Sequence, residues 1–458
     1  MQFQSKKLNH FPVSIAAVFF LSLLYWSYLA LTTRMEIVFD SIGYQSLGRM
    51  LESQSWTVYF SSGPHREPLY PLLIAAAMRL EHLTGFAYVK IMCFFGMIIM
   101  FLTQVLSYKI MRLLNIRQGI CMLILIYLGI SPALNNSAFS LFSEIGTYPL
   151  VLGILLTSYY LWDAINQEHK KHVLLLSLLL GILLTLATLI KGVFECVAPI
   201  YLIIFFLKAK RNKALLLSII VTLGCFYIPI TSYKWLNWHY NGTFAVTDRG
   251  SSMVYGNAAR DTEPLTLKKF GAALASVPGV GVCPKYFSQE NCDFWAFQES
   301  DAIGSEKVTE LNKQHLNGTQ TDATLIHLAI QKVRQKPFQY ILISSIEAFK
   351  MFFWESTKIG FVAYPEWLSK IYSIKIFNNG LRLLMSLASF VAVFFLWLQI
   401  VTQKSPPFAC LIGAMILIYI FFFIFVCVLT RYALPISPLY LITIGLWLNQ
   451  KLPHKKLD

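Results

Sequence analysis

The feature that most limits how this chain can fold is the recurrence of long, nearly charge-free apolar runs separated by short basic clusters. Several of these runs approach or exceed the ~18 apolar residues that mark a helix able to span a bilayer. Backbone in hydrocarbon must satisfy its own hydrogen bonds, and a helix does so within one segment. Composition agrees: 56% of the 458 residues are hydrophobic and 13% are charged, against about 25% charged in a soluble domain. The fold class expected is therefore an all-α polytopic membrane protein. A formal net charge of +15 would suit a nucleic-acid partner, but the Lys and Arg residues sit in clusters between the apolar runs. Positive-inside bias accounts for that pattern without such a partner.

Spans are expected at residues 11–31, 86–107, 119–134, 146–162, 173–190, 193–207, 214–233, 380–400, 408–429 and 432–448. This gives about 10 transmembrane helices, within a range of 10–13. The first run is too long for the apolar part of a signal peptide and lacks a clear small-residue cleavage site, so it is read as an uncleaved span. Lys6 and Lys7 place the N-terminus in the cytoplasm. Lys109, Arg112 and Arg117 fall on the same side, as do Lys170 and Lys171. So do Lys208, Lys210, Arg211 and Lys213, then Lys404, then Lys451, Lys455 and Lys456. The apolar stretch 68–80 is only ~20 Å long as a helix, too short for a ~30 Å hydrocarbon core. It is expected to lie along the outer interface, with 41–52 as a second interfacial helix. Residues 338–354, interrupted by Glu347 and Lys350, are placed on the outer surface as well. Three regions follow: a membrane module over 1–234 with its first outer loop at 34–85, a long outer region over 235–378 with an interfacial helix and a small folded element, and C-terminal spans with a basic tail over 379–458.

Of the eight cysteines, six lie in or beside apolar runs, where a thiol behaves as a small hydrophobe. Cys283 and Cys292 share a polar loop and are a disulfide candidate in an oxidising compartment. The histidines show no zinc-protease spacing, and there is no P-loop or dinucleotide fingerprint. Charges at the membrane face are expensive and therefore informative. On this threading Asp40, Arg66, Glu67, Glu144, Lys191 and Arg431 all fall on the outer side. Acids beside several cations at one depth suit a nucleophile that must lose a proton and a phosphate that must leave. Each also has a structural reading. Asp40 and Glu144 are placed to cap helices, Lys191 to snorkel from a helix end, Arg431 to anchor the last hairpin, and Arg66 and Glu67 to pair with each other.

The order of FDSIGY, REPLYP, LFSE, LIKG and TRYALP along the chain resembles the GT-C superfamily of integral membrane glycosyltransferases. The nearest branch is the one holding protein O-mannosyltransferases and aminoarabinose lipid A transferases. The resemblance implies transfer of a sugar, with inversion, from a polyprenyl-phosphate-linked donor at the non-cytoplasmic membrane face. The acceptor is a lipid, glycan or protein. It implies Asp40 as the base or acceptor-orienting carboxylate and Glu144 as its assistant. Lys191, Arg66 and Arg431 become partners of the lipid phosphate, with Glu67 and the tyrosines of the same motifs, Tyr44, Tyr70 and Tyr432, lining the substrate site. It leaves open a divalent cation, Mg or Mn, held by Asp40 and Glu144. Many members have two adjacent acids where this chain has Asp40-Ser41, so metal dependence does not carry over with the motif. A compact layout without a large soluble module suits a bacterial inner membrane with a periplasmic active face. Sequons at Asn135, Asn241 and Asn317 and the tail KKLD keep the endoplasmic reticulum membrane as the alternative. A transporter or flippase for an anionic or lipid-linked substrate is the competing function, weakened by clean mid-spans and the absence of an internal repeat.

Overall fold

A computed structural model describes residues 12–209, 211–279, 281–357, 360–426 and 428–452. Expectations placed on Lys6, Lys7, Lys210, Cys427, Lys455, Lys456 and the KKLD tail fall outside the described residues. The first apolar run forms α1 (Val13–Thr32) and leads through β1 (Arg34–Met35) to α2 (Asp40–Ser53), α3 (Trp56–Ser61) and α4 (Leu69–Thr84). Then come α5 (Tyr88–Leu113), α6 (Gln118–Ile130), α7 (Pro132–Ala138), α8 (Glu144–Asn166), α9 (Lys170–Ile190), α10 (Phe194–Lys208) and α11 (Lys213–Asn241). The long outer region folds as α12 (Arg249–Asp261), α13 (Leu267–Ser276), α14 (Gln289–Asp293), α15 (Phe297–Asn312), α16 (Gly318–Gln335) and α17 (Pro337–Ala348), with β2 (Val362–Ala363) and α18 (Glu366–Ser373) behind it. The chain closes with α19 (Lys375–Val401), α20 (Pro407–Ile424) and α21 (Ser437–Lys451).

Among the described residues, eight segments are long and apolar enough to cross a membrane: α1, α5, α8, α9, α11, α19, α20 and the stretch Thr430–Lys451 that ends in α21. The bent pair α6–α7 makes a ninth if it is one span, and α10 is apolar but shorter. All ten expected spans thus have a helical counterpart, but two of them are not single full-length helices. The 52° bend between α6 and α7 has a local cause. Pro132 cannot continue the helix hydrogen bonding, and Ser131 restarts it by accepting the N–H of Leu134. Buried Glu355 fastens the break, accepting from Tyr127 Oη at 2.5 Å, Ser131 Oγ at 2.6 Å and the N–H of Ala133 at 2.9 Å.

Interhelical polar contacts hold the bundle where apolar burial gives no preference for helix over lipid. Gln104 Nε2 donates to Ser22 Oγ and to the Leu125 carbonyl, both at 2.9 Å, and Trp26 Nε1 donates to the Gly129 carbonyl at 2.9 Å and to Asn135 Oδ1 at 3.0 Å. Asn135 is fully buried, so its sequon is inaccessible to glycosylation in the folded chain. The two helices expected in the first outer loop are present as α2 and α4. They cross at Gly48, where any Cβ would sit 2.5 Å from Ile74 Cγ2. Antiparallel pairing of Arg34 with Ala363 and Met35 with Val362 ties this loop to the end of the long outer region. Cys283 and Cys292 form a disulfide beside a small satellite core of Ala272, Ala273, Trp295, Ile343 and Ile346.

Candidate active site

Asp40 opens α2, directly after Phe39, whose backbone adopts φ 50° and ψ −124°. That region is sparsely populated for a residue with a side chain, and strain of this kind persists where the surroundings over-determine it. Asp40 does not cap its helix. Ser41 makes the local turn instead, its Oγ accepting the Val38 N–H at 2.7 Å, while the Asp40 carboxylate turns to cations. Arg66 Nη2 bonds Oδ1 at 2.7 Å and Arg431 Nη2 bonds Oδ2. Arg249 Nη1, from the start of α12, stands 3.9 Å from Oδ1 and its Nη2 3.8 Å from Asp301. Burial alone would raise the Asp40 pKa, but Arg431 and Arg66 outweigh it and hold the carboxyl well below the usual carboxylate range.

A second pair lies beside this one. Lys191 Nζ sits 3.0 Å from Glu144 Oε1, with the Glu144 side chain 4% exposed and that of Lys191 13%. Lys191 therefore does not snorkel to water. Burial opposes its charge, yet the Glu144 carboxylate more than compensates and raises its pKa. Its ammonium also lies 5.4 Å from the centre of the Tyr432 ring, a cation–π distance. Arg66 and Glu67 do not pair with each other. Glu67 Oε1 accepts the N–H of Gly192 at 2.8 Å, which fixes the turn that carries Lys191.

The aromatic residues supply walls. Tyr44 lies under Arg66 at 5.1 Å and shares a hydrogen bond with Ser143 Oγ at 2.9 Å. Burial, then Glu67, pushes its phenol up to about 12. Tyr70 packs edge-on against Tyr44 at 5.2 Å between ring centres, and its hydroxyl reaches the Ser140 carbonyl at 3.5 Å. Arg431 lies 5.0 Å over Phe142 and 5.7 Å over Tyr432. The expected catalytic and substrate-binding residues thus sit in one connected cluster. Glu36, in the same loop, stands apart and pairs with Arg34.

Three contributors escaped the sequence reading. Arg249 had no local signal, since DRG in a polar stretch marks nothing until α12 is placed. His65 Nδ1 lies 3.1 Å from Asp248 Oδ2 and the Pro64 carbonyl accepts the Asp248 N–H at 3.0 Å, joining the first loop to α12. The Asp248 hydrogen bond raises the His65 pKa against some burial. Glu355 did carry a signal, as an acid closing an apolar run, the same criterion that marks Glu347 and Lys350.

The resemblance leaves open a divalent cation held by Asp40 and Glu144. Among the described residues no group of three or more His, Cys, Asp or Glu side chains is placed to hold one. Asp40 and Glu144 are each matched by cationic side chains instead. Arg66, Lys191, Arg249 and Arg431 face Asp40, Glu67, Glu144 and Asp301, four cations against four acids. Three guanidinium groups and an ammonium gathered at one place suit an anionic guest that competes with these acids for them.

Fold and site together define an all-helical multi-pass membrane protein with an ion-paired, aromatic-walled site at one end of its bundle. No family model matches the chain, and no curated protein does. Among solved structures it is similar to the archaeal oligosaccharyltransferase AglB from Archaeoglobus fulgidus, solved with an inhibitory peptide and a dolichol-phosphate. Identity is 14% and the TM-score 0.45, over 94% of this chain and 50% of the other. The chain spans about half the length of that protein.

Proposed function

We infer that this protein is a glycosyltransferase of the GT-C type that moves a sugar from a polyprenyl-phosphate donor to an acceptor hydroxyl or amine. The observation that carries the reading is the clasp of Asp40 by Arg66 and Arg431, with Arg249 beside it, shared between Asp40 and Asp301. Held this way, Asp40 is a weak base, because two guanidinium groups stabilise its charged form. An incoming phosphate competes for the same arginines. As they turn to it, Asp40 loses its stabilising partners and its proton affinity rises at the moment a base is needed. The sign of the effect links donor binding to acceptor activation.

The step then balances simply. The acceptor O–H or N–H gives its proton to Asp40, and the acceptor atom forms a bond to the anomeric carbon from the face opposite the phosphate. The bond between that carbon and the phosphate oxygen breaks, and the electron pair leaves with polyprenyl phosphate, which gains a negative charge. Arg66, Arg249, Arg431 and Lys191 stabilise that charge, and Glu144 keeps Lys191 charged in a buried setting. The motifs shared with GT-C enzymes support the reading independently of the geometry. The reading places the site on the non-cytoplasmic side, in the periplasm of a bacterial inner membrane. The phosphate role is tested by measuring retention of a polyprenyl phosphate against the phosphate-free alcohol by native mass spectrometry. Wild type should prefer the phosphate, and Arg431→Gln should lose most of that preference. Equal retention of both lipids by wild type would contradict it.

A further inference from the structure

α17 has its charges on the wrong side for a helix that faces water. Glu347 is 2% exposed and Lys350, just beyond the helix, 6%, whereas Phe338 is 87% exposed, Ile341 60%, Leu342 47% and Phe349 46%. Ser345 is the other exposed side chain between them, so positions 338, 341, 342, 345 and 349 form one uncharged stripe at helical spacing. The inward charges are all engaged. Glu347 Oε1 meets Arg260 Nη2 at 2.7 Å and Lys350 Nζ at 2.9 Å, and Arg260 in turn bonds Asp261 at 2.9 Å. Charges paired inside with apolar side chains outside is the arrangement a helix needs in hydrocarbon. In water the same helix would expose its charges.

Depth can be read from its neighbours. Tyr340 stacks on Phe425, one residue past the end of α20 on the site side. Nine residues further on, Phe349 packs on Phe390 of α19 at 5.7 Å. Residues 383–401 of α19 carry no charge, and Phe390 lies seven residues inside that run, about 10 Å along the helix axis. On α19 the exposed apolar residues Leu383, Leu387 and Phe394 flank Phe390 at helical spacing and are 62%, 58% and 52% exposed. Arg334 and Lys336 precede α17, as basic residues do where a segment enters a membrane surface.

We propose that α17 and the turn after it enter the leaflet on the site side of the membrane, with Phe338, Ile341, Leu342 and Phe349 in contact with lipid acyl chains. This replaces the surface position expected for residues 338–354. It also gives the bilayer a structural role. The Glu347–Arg260 bond fixes the end of α12, and the start of that helix carries Arg249 beside Asp40. The claim concerns the surface alone and holds whatever reaction the site performs.

The test is photocrosslinking of the full chain in phospholipid vesicles, with a diazirine-bearing amino acid placed singly at positions 338 and 341. Position 314, an exposed residue of the outer region, serves as the aqueous control, and position 343, on the buried face of α17, as the protein-facing control. Mass spectrometry should find phospholipid adducts at 338 and 341 several-fold above those at 314, and protein crosslinks at 343. Lipid adducts at 338 and 341 no more frequent than at 314 would overturn the proposal. So would crosslinking of those positions to a second copy of the chain in place of lipid.

Discussion

At the scale of single residues the site is a set of matched charges, and each match has a measurable consequence. Asp40→Asn keeps the shape of the side chain and removes its charge. It should abolish sugar transfer while leaving membrane insertion and elution behaviour intact, as judged by size-exclusion chromatography beside a transfer assay. The depressed Asp40 pKa fixes the sign of a second effect. Arg66→Gln removes a stabilising cation, so the acid limb of the kcat/KM profile should move to higher pH. The same depression means that Asp40 contributes stability above the ordinary carboxylate range, lost as pH falls through its native value. The Glu144–Lys191 pair is buried, so Glu144→Gln leaves an ammonium without its partner and should cost about 3–5 kcal/mol, read as a lowered thermal midpoint. Adding Lys191→Met should recover much of that loss. These residues were legible in the sequence because each is a charge beside an apolar span, where charge is costly enough to need a reason. Arg249 was not, because its meaning depends on how more than a hundred residues of outer chain fold back over the first loop.

At the scale of elements, periodicity and length found nearly every membrane helix and the two longer helices of the first outer loop, but not the short α3. They could not find β1 and β2, because two residues of strand carry no alternation. They could not find the bend between α6 and α7 either, although Pro132 marks it, because the fastening acid, Glu355, is more than two hundred residues away. α17 was found but placed on the surface, since Glu347 and Lys350 look water-facing until their partners on α12 are known. Those partners give a pH-dependent prediction. Burial raises the Asp261 pKa, with Glu347 adding to the rise and Arg260 opposing it. A carboxyl whose native pKa is raised binds more protons folded than unfolded. Stability of the outer region should therefore fall as pH climbs from the ordinary carboxylate value through the raised native one. Hydrogen exchange across α12 and α17 would follow the change, and Asp261→Asn should flatten it.

At the scale of the whole molecule, the fold brings five separate parts of the chain to one end of the bundle. The first outer loop gives Asp40, Arg66 and Glu67, and the turns beside α8 and α9 give Glu144 and Lys191. The outer region adds Arg249, and the last hairpin adds Arg431. The central claim is that this convergence transfers a sugar from a lipid phosphate. The most direct measurement is time-resolved mass spectrometry of polyprenyl-phosphate sugars incubated with the purified protein in vesicles, together with a mixed lipid, glycan and protein acceptor extract. Wild type should convert a glycosylated carrier to free polyprenyl phosphate with the sugar appearing on an acceptor, and Asp40→Asn should bind the carrier without converting it. Conversion by Asp40→Asn at the wild-type rate, or movement of the carrier across the vesicle membrane by wild type without loss of its sugar, would contradict the account.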